Sequence, residues 1–210
     1  MLRPGWLALG CGDSTSGRVR WQAGRVSSAR LFRRRTSTPI ATPCNGPWRP
    51  SFIALHNTAS PSLAQRPNGL TKQHIKNLEA FYRDKQGWKA GPHLFVDDRQ
   101  IWVFTPLTVS GVHSPSWNKI ALGIEMLGNF ETEAFNSGRG LKVRKNAVAA
   151  MATLCAIFGL DPNGIRLHRE DPATTHACPG KNVRKLEVIQ EVLALMAQRH
   201  DGEHDVGHAA

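Results

Sequence analysis

The segment from Leu167 to Gly180 reads L-H-R-E-D-P-A-T-T-H-A-C-P-G and packs His168, His176 and Cys178 into eleven residues. Imidazole nitrogen and thiolate sulfur are borderline-soft donors that suit Zn²⁺. Asp171-Pro172 disfavours helix directly after His168, so the stretch is expected to be a loop. Cys178-Pro179-Gly180 then turns the chain into an amphipathic pattern running from Asn182 to Arg199. That places Cys178 just ahead of a helix N-terminus, where the dipole and free N–H groups favour a thiolate. A thiolate is the form that binds metal or attacks carbonyls.

Three donors from one short loop would crowd a single ion, so a distant partner is expected. The best candidate is His56, in S-F-I-A-L-H-N-T-A-S. The apolar run before it has the composition of a buried strand. A histidine at a strand end, followed by polar Asn57-Thr58 and turn-prone Ser60-Pro61, sits where an α/β sheet presents its chemistry. Read alone, such a histidine is more often structural.

Strand 52–56 leads into a Pro/Asn/Gly loop over 60–69. Thr71 caps a helix to about Gln86, with Ile75, Leu78 and Tyr82 on one stripe and Gly87 closing it. Residues 93–96 and 101–104 read as a hairpin around a turn at 97–100. A polar loop over 105–119 carries His113, Ser114, Ser116, Trp117 and Asn118. Residues 121–127 form the central strand, with Leu122, Ile124 and Met126 on one face and Ala121, Gly123 and Glu125 on the other. An unpaired buried carboxylate is expensive, so Glu125 beside two small residues makes sense if that face opens onto a cation or substrate. The bland alternative is an ordinary strand residue paired with a lysine. A helix over 143–158, with Cys155 on its apolar face, ends at Gly159, and a short strand over 165–168 delivers His168.

H-N-T-A-S, then G-P-H-L-F-V-D, then A-L-G-I-E-M-L-G-N-F, then H-R-E-D followed by C-P-G resembles the zinc-dependent N-acetylmuramoyl-L-alanine amidase family. That family includes phage endolysins, muropeptide-recycling amidases and peptidoglycan recognition proteins. The four motifs occur in the family's order over roughly 51–198. The resemblance implies an α+β fold: one domain with a central mixed sheet of about five strands flanked by helices. It implies Zn²⁺ ligands at His56, His168 and Cys178, with Glu125 and His176 beside the metal. Glu125 is read as general base or orienter of the zinc water, and His176 as donor to the oxyanion, with a plain polar loop residue as its alternative. It also implies hydrolysis of the amide between N-acetylmuramic acid and L-alanine. The partner is then peptidoglycan or a muropeptide, with no nucleic acid, no membrane span and a monomeric chain. Asn57, Thr58, His93, His113, Trp117 and Asn118 are candidates for lining the substrate groove, with packed or solvated roles as their alternatives. Two departures stand out. His176 occupies a position where the family often has lysine or threonine, and Pro92 stands where many phage relatives carry a catalytic tyrosine. Two other readings stay open: a cysteine peptidase using Cys178, and a non-catalytic peptidoglycan-binding module.

Charge divides the chain. Residues 1–50 hold nine arginines, no lysine and one acid, Asp13, a net of +8 out of the chain's +11. The extreme pI therefore belongs to this leader. Its Arg/Ser/Thr/Gly/Pro composition reads as a disordered basic extension. A faint lipoprotein-like box at Leu7–Cys11 is too short for a secretion signal, and an organelle transit peptide or a basic arm attracted to anionic polymers are its sharper readings. The catalytic domain is expected over 51–199 and a flexible tail, holding His204 and His208, over 200–210. Cys11, Cys44, Cys155 and Cys178 show no framework spacing, so the chain is read as reduced. No apolar run approaches the roughly 20 residues that span a bilayer. The expected setting is synthesis in the cytoplasm, with action on the wall or on recycled muropeptides.

Overall fold

Phe52–Asn57 (β2) and Ala121–Met126 (β5) are paired in parallel at the middle of the sheet, and every residue of β2 is buried. Their largely apolar sequences suit strands covered on both faces. The computed structural model describes residues 24–26 and 48–204, with side chains described over 48–198. Besides β2 and β5, the strands are Gly24–Val26 (β1), Leu94–Val96 (β3), Ile101–Val103 (β4) and Arg166–Leu167 (β6). The sheet order is β1-β4-β3-β5-β2-β6. The β3–β4 and β4–β1 pairs are antiparallel and the rest parallel, giving a mixed sheet in one α+β domain.

Five of these strands are the expected ones. The sixth, β1, lies within the segment read from composition as structureless, and it adds to the free edge of β4. Edge backbone groups accept a strand of almost any composition, so apolar patterning gives no warning of it. The remaining residues of 1–47, including Cys11 and Cys44, lie outside the described residues, as do 205–210 with His208.

Helix Lys72–Lys85 (α1) starts at a capping box in which Thr71 Oγ1 accepts from His74 N and His74 Nδ1 accepts from Thr71 N, at 3.2 and 3.3 Å. Ile75 and Leu78 of its apolar stripe line a cavity with Phe95 and Glu125, so α1 covers the face of the sheet that carries Glu125. Helix Gly138–Phe158 (α2) contacts β3 and β5 and packs on Lys185–His204 (α3). Val143, Ala147 and Met151 of α2 share one buried cluster with Leu122, Ile124 and Met126 of β5. Each Val, Leu, Ile or Met side chain removed from water there contributes about 1.5–3 kcal/mol.

Several boundaries differ from the sequence expectation. α2 begins at Gly138, directly after Ser137 at the N-cap position, and two glycines in the first turn hide the helical pattern. Gly140 is required there, since a Cβ would run into the Ala134 carbonyl. His168 leaves the strand and opens a short 3₁₀ turn, His168–Glu170. α3 starts at Lys185 and continues to His204, through residues assigned by composition to the tail.

Candidate functional site

Parallel pairing sets His56 of β2 directly beside Glu125 of β5, and Phe95 of β3 beside Glu125 on its other side. Paired residues on neighbouring strands point to the same face. On that face the pairs Phe52–Ala121 and Ala54–Gly123 precede His56–Glu125. The first part of the face is closed by Trp117, which packs with Phe52, Ala54 and Ala121. The last part opens into a cavity of about 730 Å³ whose wall includes His56, Glu125, His168, His176 and Cys178.

β6 lies on the outer side of β2, with Leu55 opposite Leu167, so the next residue, His168, emerges beside His56. Their ring centroids are 4.4 Å apart. The loop after His168 returns Cys178, whose carbonyl accepts from Arg169 N at 2.7 Å and whose Sγ accepts from Asn57 N at 3.3 Å. One donor atom from each of His56, His168 and Cys178 lies within 4.8 Å of the others. Nε2 of His168 is buried and, among the described residues, has no hydrogen-bond partner. Burial, then the neighbouring rings, hold His56 and His168 below the ordinary histidine range, which leaves neutral imidazoles with lone pairs to offer. The residues present therefore fit a borderline-soft divalent cation.

The environment of Cys178 differs from the one expected. No helix begins at Asn182 to draw out a thiolate, because α3 starts at Lys185. Burial instead pushes the thiol up to about 12, with the Glu125 carboxyl adding to the rise. A cation at the cluster would reverse that, since a coordinating thiol loses its proton. Glu125 is half-buried in the cavity wall, and burial pushes its carboxyl up to about 8. His176 is exposed at the rim, its ring 5.9 Å from that of His168.

The remaining candidates separate. Asn57, His113 and Asn118 line this cavity. Thr58 borders a neighbouring cavity of about 330 Å³, which shares Tyr82 and Glu125 with the first. His93 and Trp117 lie behind the site, not in the groove. His93 is fully buried, accepts from Gly123 N at 3.0 Å and bonds the Val109 carbonyl at 3.0 Å. Trp117 is 4 % exposed and meets Phe52 edge-on. Local composition shows neither the backbone bonds that hold His93 nor the packing that covers Trp117.

Sequence reasoning missed Tyr82, Trp88 and Asp171. Tyr82 belongs to the apolar stripe of α1, yet it also lines both cavities. Trp88 stands edge-on to it at 5.2 Å and is 41 % exposed on the cavity wall. Asp171 is buried, and its carboxylate accepts from Ser114 Oγ and from the backbone N–H groups of Ser116 and Ala173. Burial opposes ionisation there, but these bonds outweigh it and hold the carboxyl down at about 2. An Asp before Pro in a tight loop was its only sequence signal.

Residues 46–181 match the family model for N-acetylmuramoyl-L-alanine amidase. Peptidoglycan-recognition protein SC2 of Drosophila simulans is 24% identical over 135 residues, covering 63% of this chain and 70% of that protein. Among solved structures, the N-acetylmuramoyl-L-alanine amidase LysC of Clostridium intestinale matches with a TM-score of 0.55 and 23% identity over 70% of this chain and 87% of that one. Drosophila PGRP-LB matches with a TM-score of 0.52 and 19% identity over 64% and 77%. These structural likenesses speak to the fold. The family model covers most of the described chain, from before β2 to just past Cys178, and on that match the protein belongs to the N-acetylmuramoyl-L-alanine amidase family.

Proposed function

We propose that the protein is a zinc-dependent amidase that cleaves the bond between the lactyl group of N-acetylmuramic acid and L-alanine in peptidoglycan or muropeptides. The observation that carries this reading is the meeting of His56, His168 and Cys178 donors within 4.8 Å, in the wall of a cavity that also holds Glu125. These three residues would hold Zn²⁺, which when bound polarises a scissile carbonyl and lowers the pKa of water at the open fourth position.

Glu125 takes the proton of the attacking water and hands it to the departing amine. A carboxyl raised to about 8 by burial gains and loses its proton close to neutral pH, as that double task requires. His176 reaches from the rim to donate an N–H to the oxyanion. Asn57 and Asn118 contribute polar groups to the groove, and Tyr82 with Trp88 forms an aromatic wall along it. The muropeptide reading is supported by family membership and by a structural neighbour, a variant of Drosophila PGRP-LB held in complex with tracheal cytotoxin. The catalytic unit is residues 51–199. A nucleophilic role for Cys178 is disfavoured, because a thiol pushed up to about 12 is almost entirely uncharged at neutral pH.

The test is metal removal. The chain is stripped with a strong chelator, its zinc content measured, and release of the stem peptide from muropeptides followed before and after Zn²⁺ is returned. Activity is expected to vanish and to come back. Full turnover by demonstrably metal-free protein sinks the amidase mechanism. Wall binding without turnover by the zinc-loaded chain makes it a recognition module instead.

A further inference from the structure

His56 has a second ring contact that the reaction above does not use. Its Nε2 lies 3.1 Å from Nδ1 of His113, and Nε2 of His113 lies 3.1 Å from the carbonyl oxygen of Ala121. A carbonyl oxygen only accepts, so the His113 proton sits on Nε2. In a neutral imidazole the other nitrogen is then a bare acceptor. The hydrogen between the two rings must therefore belong to Nε2 of His56, which leaves Nδ1 of His56 with its lone pair.

We propose that His113 is a positioning residue that selects the Nε2–H tautomer of His56 and so reserves Nδ1 for the metal, before any metal arrives. This rests on the metal-site reading above and assigns the tautomer of its first ligand.

The setting of His113 supports the role. Its own backbone N–H and that of Ser114 both donate to Asn118 Oδ1, at 2.7 and 2.8 Å. Ser114 Oγ and Ser116 N donate to the buried carboxylate of Asp171, on the turn that begins with His168. The loop that orients His56 is thus tied to the turn that delivers His168. The His113 ring also fills the space beside β5 where residue 123 has no side chain: a Cβ there would lie 2.5 Å from the ring. Ring position, ring rotation and hydrogen placement are all determined by neighbours. Partners of this kind raise metal affinity by fixing the ligand's tautomer and orientation, and losing one typically costs about 10–100-fold.

Two measurements on the full chain test this. In the metal-free protein, NMR of the ring nitrogens should report the Nε2–H tautomer for His56, and His113→Phe should lose that preference. In competition with a chromophoric chelator, His113→Phe should bind Zn²⁺ about 10–100-fold more weakly than the parent. His113→Asn and His113→Gln separate acceptor from bulk. Asn Oδ1 can stand near the place of Nδ1 and should recover most of the affinity. Gln reaches toward Ala121 but offers His56 no acceptor there, and should not. An Nδ1–H tautomer in the parent protein overturns the proposal, as does equal zinc affinity for the Asn and Gln variants. A parent chain that binds no zinc overturns the metal reading, while the tautomer result still judges His113 on its own.

Discussion

At the scale of single residues, the site separates groups that hold from groups that react. Glu125 stands beside His56 on the neighbouring strand and has a carboxyl raised to about 8 by burial. Glu125→Gln keeps shape and hydrogen bonding but cannot take a proton. It should leave zinc content and melting temperature nearly unchanged while lowering kcat by about 10²–10⁴-fold. Near-parental turnover would return Glu125 to a structural role. His176 is exposed while Cys178 is part of the donor cluster, so their alanine variants should part company. His176→Ala should lose rate and keep zinc; Cys178→Ala should lose zinc. Elemental analysis of the two purified variants decides the ligand, and the reverse pattern would make His176 the third donor.

At the scale of elements, β5 brings a carboxylate and a gap to the same face. Gly123 is two residues before Glu125, and the gap it leaves is filled by the His113 ring. Gly123→Ala should therefore cost about 1–3 kcal/mol, as overpacking does, and should weaken zinc binding through the displaced ring. Gly164 is the control, since a Cβ there meets only Phe52 at 3.8 Å. Gly164→Ala should stay within about 0.5 kcal/mol of the parent in a denaturant titration. Equal effects at the two glycines would show that the close approach at Gly123 carries no energy.

At the scale of the molecule, two properties follow from how the sheet is covered. Burial holds the His93 ring down to about 3, against 6.5 in an open chain. The unfolded chain then takes up a proton below pH 6.5 that the folded one refuses. Stability from this residue is complete above pH 6.5 and is lost as pH falls toward 3, by about 2 kcal/mol at pH 5. Urea titrations of metal-free protein should show His93→Gln losing less stability than the parent between these two pH values; parallel losses would mean that His93 is not held neutral. The second property concerns the amino-terminal segment. β1 adds three residues to the sheet edge, whereas the family match begins at residue 46. A chain starting there should fold and turn over small muropeptides at the parental rate. On intact anionic walls it should lose salt-sensitive affinity, as expected when a basic arm is removed. An unfolded or inactive product would move the domain boundary toward β1.

Local physics made much of this legible in the chain itself. The apolar run into His56, the alternation through Glu125, the Thr71 cap and the turn around Cys178 all depend on neighbours a few residues away. Those features, together with the family resemblance, marked His56, His168, Cys178 and Glu125 as candidates, and the sheet brings them to one cavity. What the fold alone decided are contacts between residues far apart in sequence. His113 meets His56, and Asp171 meets Ser114, each across 57 residues. No periodicity or spacing encodes such a meeting, because it depends on which loop the packed sheet brings alongside. For the same reason His93 and Trp117 went behind the groove while Tyr82 and Trp88 came into its wall. Proton affinity was hidden too: a helix dipole was expected at Cys178, but burial beside Glu125 determines its thiol, and burial is a property of the assembled molecule.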